Sequence, residues 1–241
     1  MARTTLSSRL RARLTAALLV VLLPFTTSSV RAHGRTSVAS GGAVGHPFAD
    51  ELTRESVRRA LAEHGNDTYI GEMLTERDSS LARWHDRGGD PLLVWVQPAS
   101  DVAGWDEAYL EDVHSAFADW NVLELPVRFT FTTDSAAANV HVTFVDHFEE
   151  PISGRTKWAR DDDWWITDAD IALAVYHRGG PMLDDEAMHA MALHEIGHLL
   201  GLDHTADPTS IMATRVRVRA LSPADRATAR LLYTLPPGGV R

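Results

Sequence analysis

The chain has 241 residues, no cysteine and a formal net charge of -10 at pH 7. This acidic balance argues against nucleic acid or an anionic membrane as the main partner, because both attract basic surfaces. The lack of cysteine excludes disulfides, thiolate metal ligands and thiol nucleophiles, so any metal must be held by His, Asp or Glu.

The N-terminus has the pattern of an export signal. Four arginines lie between residues 3 and 13, Leu14 to Phe25 is a largely apolar run, and Val30-Arg31-Ala32 resembles a cleavage site with small residues. An uncleaved membrane anchor is the alternative, but spanning a bilayer takes about 20 apolar residues and this run is shorter. We therefore expect residues 1–32 to be a signal peptide, and the protein to be secreted without stable membrane insertion.

Two further segments are expected before the main domain. Residues 33–46 are rich in Gly, Ser and Ala, which is typical of a flexible spacer. Residues 47–90 contain helical spacing of apolar residues over Ala49 to His64 and again over Tyr69 to Trp84. This pattern predicts a helical N-terminal extension or prosegment, which ends at the breaker cluster Arg87-Gly88-Gly89-Asp90-Pro91.

Residues 91–241 alternate between strand and helix patterns. The predicted strands are Leu92 to Val96, Val127 to Thr132, Val140 to Val145 and Ile166 to Tyr176. The predicted helices are Trp105 to Trp120, a helix through Glu186 to Leu200 capped by Asp184 or Asp185, and a last one after Ser222-Pro223. This order predicts an α+β domain with a mixed sheet.

One segment carries the chemistry, His194-Glu195-Ile196-Gly197-His198-Leu199-Leu200-Gly201-Leu202-Asp203-His204. On a helix, His194 and His198 project from one face about one turn apart, as two ligands of one zinc require. Gly201 can take the left-handed conformation that ends a helix, and the resulting turn would bring His204 to the same metal.

Three imidazoles leave a fourth zinc position open to water, which is typical of a catalytic site. We expect zinc to lower the pKa of that water and Glu195 to act as the catalytic base. Ordinary surface histidines on a helix are the alternative interpretation.

The segment resembles the metzincin metallopeptidases, and within them the matrixins. Ser210-Ile211-Met212 is similar to the family's methionine-containing turn, Asp203 and Thr205 flank the third histidine as in matrixins, and residues 221–233 resemble the closing helix. The resemblance implies a zincin-like catalytic domain with a twisted, mixed five-stranded sheet, two helices above the cleft and a C-terminal helix below it.

The resemblance also implies a function. It suggests an endopeptidase that binds extended peptides along an edge strand, expected between Ile152 and Trp158, with Met212 beneath the histidines as structural support together with Gly201. The expected partners are protein or peptide substrates, and we expect a monomer. A zinc hydrolase of another amide, such as one in a cell wall, and a secreted zinc-binding protein without catalysis remain as alternatives.

The chain also departs from the family pattern. The prosegment cysteine that keeps many matrixins latent is absent, and Ala213 and Thr214 stand where many matrixins have Pro and Tyr. Thr214 also stands at the position where other metzincin families have a tyrosine that binds the zinc. Its presence favours a zinc ion with three protein ligands.

Further metal sites have weak support in the sequence. The second-zinc candidates are His141, Asp146, His147, His177 and His189, and the calcium candidates are Asp161, Asp162, Asp163, Asp168 and Asp170. Neither set has the spacing of a known site, and a solvated acidic loop is the more favoured interpretation of the aspartates.

Overall fold

The computed structural model describes residues 47–77 and 79–239. The predicted signal peptide and spacer lie outside the described residues. All described residues belong to one compact unit. None of the described helices combines the length and apolar character needed to cross a membrane.

The centre of the fold is a mixed sheet. Its main strands are β3 (Leu92–Val96), β4 (Phe129–Phe131), β5 (Val140–Val145), β6 (Gly154–Arg160) and β7 (Trp165–Ala174). Strands β4, β3, β5 and β7 lie side by side in that order and run parallel, and β6 pairs with β7 in the antiparallel sense. Within the described residues β6 pairs with β7 alone, so it forms one edge of the sheet.

Two helices cover one face of the sheet. Helix α3 (Ala108–Asn121) and helix α4 (Asp185–Leu199) pack against each other, and α4 also contacts β6 and β7. The Asp184 side chain accepts a hydrogen bond from the Ala187 N–H and caps α4. The indole N–H of Trp120 in α3 donates to the Leu193 carbonyl over 3.0 Å, which joins the two helices at their buried interface.

The C-terminal part of the fold contains one further helix. Helix α5 (Pro223–Thr234) begins with a capping box between Ser222 and Asp225. The buried Asp225 carboxylate also accepts from the hydroxyl of Ser210 and from the Ile211 N–H, so α5 is tied directly to the methionine turn. A two-residue strand, β8 (Gly238–Gly239), follows it.

The N-terminal extension is only partly helical. Helix α1 (Pro47–His64) and helix α2 (Ile70–Glu76) flank a short 3-10 turn at Gly65–Asp67. The predicted continuation of a helix to Trp84 is wrong. The chain instead forms β1 (Ser80–Leu81), which pairs with β8, and β2 (Arg83–Trp84), which pairs in parallel with the start of β7.

Pairing with the sheet accounts for this difference. Ser79 has a φ of 63°, which ends the helical path, and Leu81 and Trp84 are buried as strand residues. The Trp84 indole donates to the Leu199 carbonyl at the end of α4 over 2.8 Å. Residues on both sides of position 90 belong to the same compact unit. The α+β class with a mixed five-stranded sheet is confirmed, and β2 adds a sixth short strand to it.

Candidate metal centre

The end of helix α4 places three histidines around one point. His194 and His198 lie one turn apart on the helix, and Gly201 ends it with a φ of 98°. A Cβ atom at position 201 would come within 2.1 Å of the Ala82 carbonyl oxygen, so both the backbone angle and the close approach of β1–β2 require glycine. The reversed chain then brings His204 against the other two rings.

The three rings meet through their Nε2 atoms. The Nε2 of His198 lies 3.2 Å from that of His194 and 3.3 Å from that of His204. The Nδ1 atoms of His194 and His198 face the carbonyl oxygens of Ile211 and Leu202 at 2.7 and 3.0 Å. A carbonyl only accepts, so these Nδ1 atoms carry the protons and the Nε2 lone pairs face one another.

This arrangement fits a tetrahedral zinc ion. Two nitrogens that each lie about 2.0–2.1 Å from a tetrahedral ion are separated by about 3.3–3.4 Å, close to the spacings observed here. Lone pairs at that separation repel one another unless a cation lies between them. Within the described residues, the three histidines are the one group of such side chains whose ligand atoms converge.

Burial keeps two of the three histidines neutral. It lowers the pKa of His194 to about 4 and that of His198 to about 3, because a charged imidazole loses its hydration there, and the neighbouring imidazoles add to the effect. A neutral imidazole is the form that binds a metal. The site is therefore preorganised for a cation near neutral pH.

Glu195 is buried and follows His194 directly in helix α4. Its side chain is 3% exposed, and the Thr156 hydroxyl of β6 lies 2.7 Å from its Oε2, where it donates a hydrogen bond. Burial raises the pKa of Glu195 to about 7, against the lowering effects of Thr156 and of the Arg155 charge. A Cβ at Gly154 would come within 2.4 Å of Oε1, so β6 closes around the carboxylate.

Met212 lies against the helix between the first two ligands. It is fully buried, and its Sδ would lie 2.3 Å from a Cβ at Gly197. Its N–H donates to the Ser210 hydroxyl over 2.9 Å, and its carbonyl accepts from the Thr205 N–H over 3.1 Å. The methionine turn is thus fixed both to α4 and to the loop that carries His204.

The site opens into a cleft of about 1090 Å³. Residues 151–158, which include most of β6, line the cleft, and so do residues 214–216 and Arg219. The three histidines and Glu195 line the same cleft. An extended chain laid along the cleft would therefore pass over the metal position.

Helix α2 contacts the loop that carries His204, and the sequence did not predict this contact. The Glu72 carboxylate accepts from the Thr205 hydroxyl over 3.1 Å and from the Ala206 N–H over 2.8 Å. Arg77 pairs with Asp203 at 2.5 Å on the other side of His204. More than a hundred residues separate the partners along the chain, so no local pattern indicates these contacts.

Among the described residues, no three of the other predicted metal ligands converge on one point. Their observed partners are Asp170 and the Ser135 carbonyl for His141, Asp146 for His147, Ser153 for His177, and Asp119 for His189. Asp161 accepts from the N–H groups of Asp163 and Trp165 within its own turn. His177 is the one of these histidines that lines the cleft.

Comparisons with known proteins agree with this geometry. The family model described as Matrixin matches residues 99–234. The chain is 26% identical over 153 residues to Metalloendoproteinase 1 of Glycine max. The aligned region covers 55% of this chain and 48% of the relative. It is also 34% identical over 86 residues to Matrix metalloproteinase-16 of Homo sapiens, covering 34% of this chain and 12% of the relative. The chain thus spans about half of the first relative and a small part of the second.

Proposed function

Since this chain belongs to the matrixin family, we propose that it is a secreted, zinc-dependent endopeptidase with Glu195 as its catalytic base. The observation that carries the proposal is the convergence of three Nε2 atoms next to a buried carboxylate in an open cleft. The names of the matched relatives, a metalloendoproteinase and a matrix metalloproteinase, support the same activity.

His194, His198 and His204 would hold the zinc ion, with Gly201 and Met212 supporting their arrangement. When bound, zinc supplies a Lewis acid that lowers the pKa of a water ligand and polarises the scissile carbonyl. Three protein ligands leave room for that water, because the residue two positions after Met212 is Thr214 and no tyrosine is available there. The fold sets the ring orientations through the Ile211 and Leu202 carbonyls.

Glu195 would move the proton. As the water oxygen bonds to the carbonyl carbon, the Glu195 carboxylate takes the proton that the water loses. The same proton then passes to the leaving amine as the C–N bond breaks, so the enzyme returns to its starting state. Thr156 holds the carboxylate in place through its hydroxyl, which donates to Oε2 over 2.7 Å.

Strand β6 would bind the substrate. Within the described residues β6 pairs on one side only, and residues 154–158 line the cleft. An extended peptide can add to such an edge through backbone hydrogen bonds, which are independent of its sequence. The scissile bond would then lie across the histidines. Protein or peptide substrates follow from this mode of binding.

The test combines a substitution with a metal measurement. Glu195→Gln keeps the side-chain shape but removes the base, so we expect zinc content to stay at the wild-type level and cleavage of casein to fall at least 100-fold. Activity retained in this variant would contradict the role of Glu195. Cleavage of cell-wall fragments without cleavage of casein would favour the other hydrolase, and zinc binding without any turnover would favour a binding protein.

Secretion has its own test. We expect the protein collected from the medium to begin near His33, because Val30-Arg31-Ala32 has the pattern of a cleavage site. N-terminal sequencing of the exported chain, together with its metal content, measures both the processing point and the number of bound ions. A chain that stays in the cells at its full length would contradict the proposal.

A further inference from the structure

The cleft is lined by positive charge although the protein is acidic. Five of its lining residues are cationic, and Glu195 is its one acidic residue. The cations are Arg77, Arg155, Lys157, Arg215 and Arg219. The whole chain has a formal net charge of -10. The cleft therefore carries the opposite sign to the rest of the molecule.

Two of these cations are engaged within the fold. Arg77 pairs with Asp203 at 2.5 Å and Arg155 pairs with Glu150 at 2.8 Å. Their charges are largely compensated, and their contacts explain their presence without a substrate. They are not the residues that would select one.

Of the other three cations, Lys157 is exposed on β6, whereas Arg215 and Arg219 lie four residues apart on the segment after Met212 and are available to a ligand. Both are exposed, and Arg215 makes no hydrogen bond or ion pair with any described residue. Arg219 approaches Glu186 at 3.8 Å, but the two side chains are 50% and 83% exposed, so the pair is weak. The same cleft is also lined by the apolar side chains of Ala187, Ala190 and Met191 of helix α4.

We propose that Arg215 and Arg219 select substrates with an acidic side chain near the scissile bond. This inference rests on the proposed peptidase function. A guanidinium presents parallel N–H donors that match the two oxygens of a carboxylate. The net negative charge of the protein repels an acidic substrate, but this repulsion acts over long distances and physiological salt screens it. The attraction between the arginines and a carboxylate inside the cleft acts over a short distance and is screened less.

The experiment uses matched peptides. A fluorogenic peptide that the wild-type enzyme cleaves is varied at each of the three positions on either side of the scissile bond, with Glu or Gln at one position at a time. We expect at least one position at which the Glu peptide has a kcat/KM about fivefold higher than the Gln peptide, mainly through KM, as suits an exposed ion pair. This ratio should fall as salt is raised.

Variants then assign the preference to its residues. Arg215→Gln combined with Arg219→Gln should bring the Glu-to-Gln ratio close to one, and Arg215→Glu combined with Arg219→Glu should favour a Lys peptide over the Glu peptide. Arg217→Gln is the matched control, because Arg217 is exposed on the same loop but does not line the cleft. It should leave the ratio at the wild-type value.

The outcomes separate this inference from the function on which it rests. A wild-type ratio near one at every position, or a ratio that survives the double substitution, would overturn the acidic preference while leaving a working peptidase. A wild-type enzyme that cleaves none of the peptides, nor casein, would overturn the peptidase function and this inference together.

Discussion

At the scale of single residues, the contact between Gly197 and Met212 makes a sharp prediction. A Cβ at position 197 would lie 2.3 Å from the Met212 Sδ and 3.4 Å from Trp120, so Gly197→Ala overpacks the core beneath the metal ligands. We expect a loss of about 1–3 kcal/mol in the free energy of unfolding, measured by urea denaturation.

The control for this substitution is another helical glycine. Gly71 in α2 has nothing within 4 Å of the Cβ position, so Gly71→Ala should stabilise the protein by up to about 1 kcal/mol. Met212→Ala should cost less stability in the Gly197→Ala background than in the wild type, because the clashing sulfur is then absent, so the two effects should not add. Equal effects of the two glycine substitutions would contradict the packing argument.

Asp112 makes a pH-dependent prediction. Burial raises its pKa to about 6, with further contributions from the charges of Asp185 and Glu111, and its Oδ2 has no hydrogen-bond partner among the described residues. The folded state therefore holds the proton more tightly than the unfolded chain does. Stability associated with this group is complete below about pH 4, the unfolded value, and is lost as pH rises through about 6.

Asp112→Asn should therefore stabilise the protein at pH 7. The gain should be about 1 kcal/mol or less, because the side chain keeps much of its contact with water. It should disappear as the pH approaches 4, where Asp112 is protonated in both states. Urea denaturation of both proteins between pH 4 and pH 8 measures the difference, and a gain that is equal across this range would refute the explanation.

Some residues of the candidate site are close to one another in the sequence, and others contact the site from distant parts of the chain. The spacing within residues 194–204 is local, so the sequence alone indicates that the three histidines converge and that Glu195 lies beside them. Thr156 and Glu72 act on this segment across 39 and more than 130 residues of chain, respectively. Thr and Glu at those positions look like ordinary surface residues of a strand and a helix, so only the folded structure identifies them.

At the scale of elements, helix α2 supports the loop of the third ligand. Glu72→Ala removes the acceptor for the Thr205 hydroxyl and the Ala206 N–H, so the loop that carries His204 should become less ordered. We expect zinc affinity to fall by up to about tenfold, as is usual when a supporting contact of a ligand is lost. Competition with a chelator measures the affinity.

Glu76→Ala is the matched control for that substitution. Glu76 is exposed on the same helix and makes no side-chain contact with the histidine loop. It should leave zinc affinity unchanged. If the two variants bind zinc equally well, α2 does not support the site and its contacts with the loop only stabilise the fold.

The pattern of residues 69–84 shows where element prediction fails. Ile70, Met73, Leu81 and Trp84 are all buried, as helical spacing suggests, but the first two pack from α2 and the last two from short strands. The spacing of apolar residues indicates which of them are buried, but it does not indicate whether they belong to a helix or to a strand. The longer strands β3 and β5 match the predicted bounds at both ends, because their apolar runs are set by partners on both sides within the sheet.

At the scale of the whole molecule, the extension and the metal domain share one core. Strands β1 and β2 pair with β8 and β7, and the Tyr69 N–H donates to Thr228 of α5 over 3.1 Å. A prosegment that is removed on activation must leave an intact domain behind, and residues 69–84 could not be removed without breaking these contacts. We therefore propose that residues 69–84 stay with the active enzyme and that any processing occurs before them.

Two shortened chains test this proposal. A chain that begins at Gly88 lacks five large side chains that are buried in the core, Tyr69, Ile70, Met73, Leu81 and Trp84. Each contributes roughly 1.5–3 kcal/mol by burial, so their sum is comparable with the total stability of a typical domain, about 5–15 kcal/mol. We expect this chain to show no cooperative thermal transition and no stoichiometric zinc.

A chain that begins at Gly65 is the comparison. It loses α1, from which Val57 is the one side chain that is buried among those the structure describes, so it should keep a cooperative transition, full zinc content and peptidase activity. Thermal unfolding of both chains is followed by circular dichroism, and their zinc content is measured by metal analysis. Cooperative folding of the Gly88 chain with bound zinc would show that residues 88–241 are an independent domain, as the cluster of breakers at residues 87–91 predicts from the sequence.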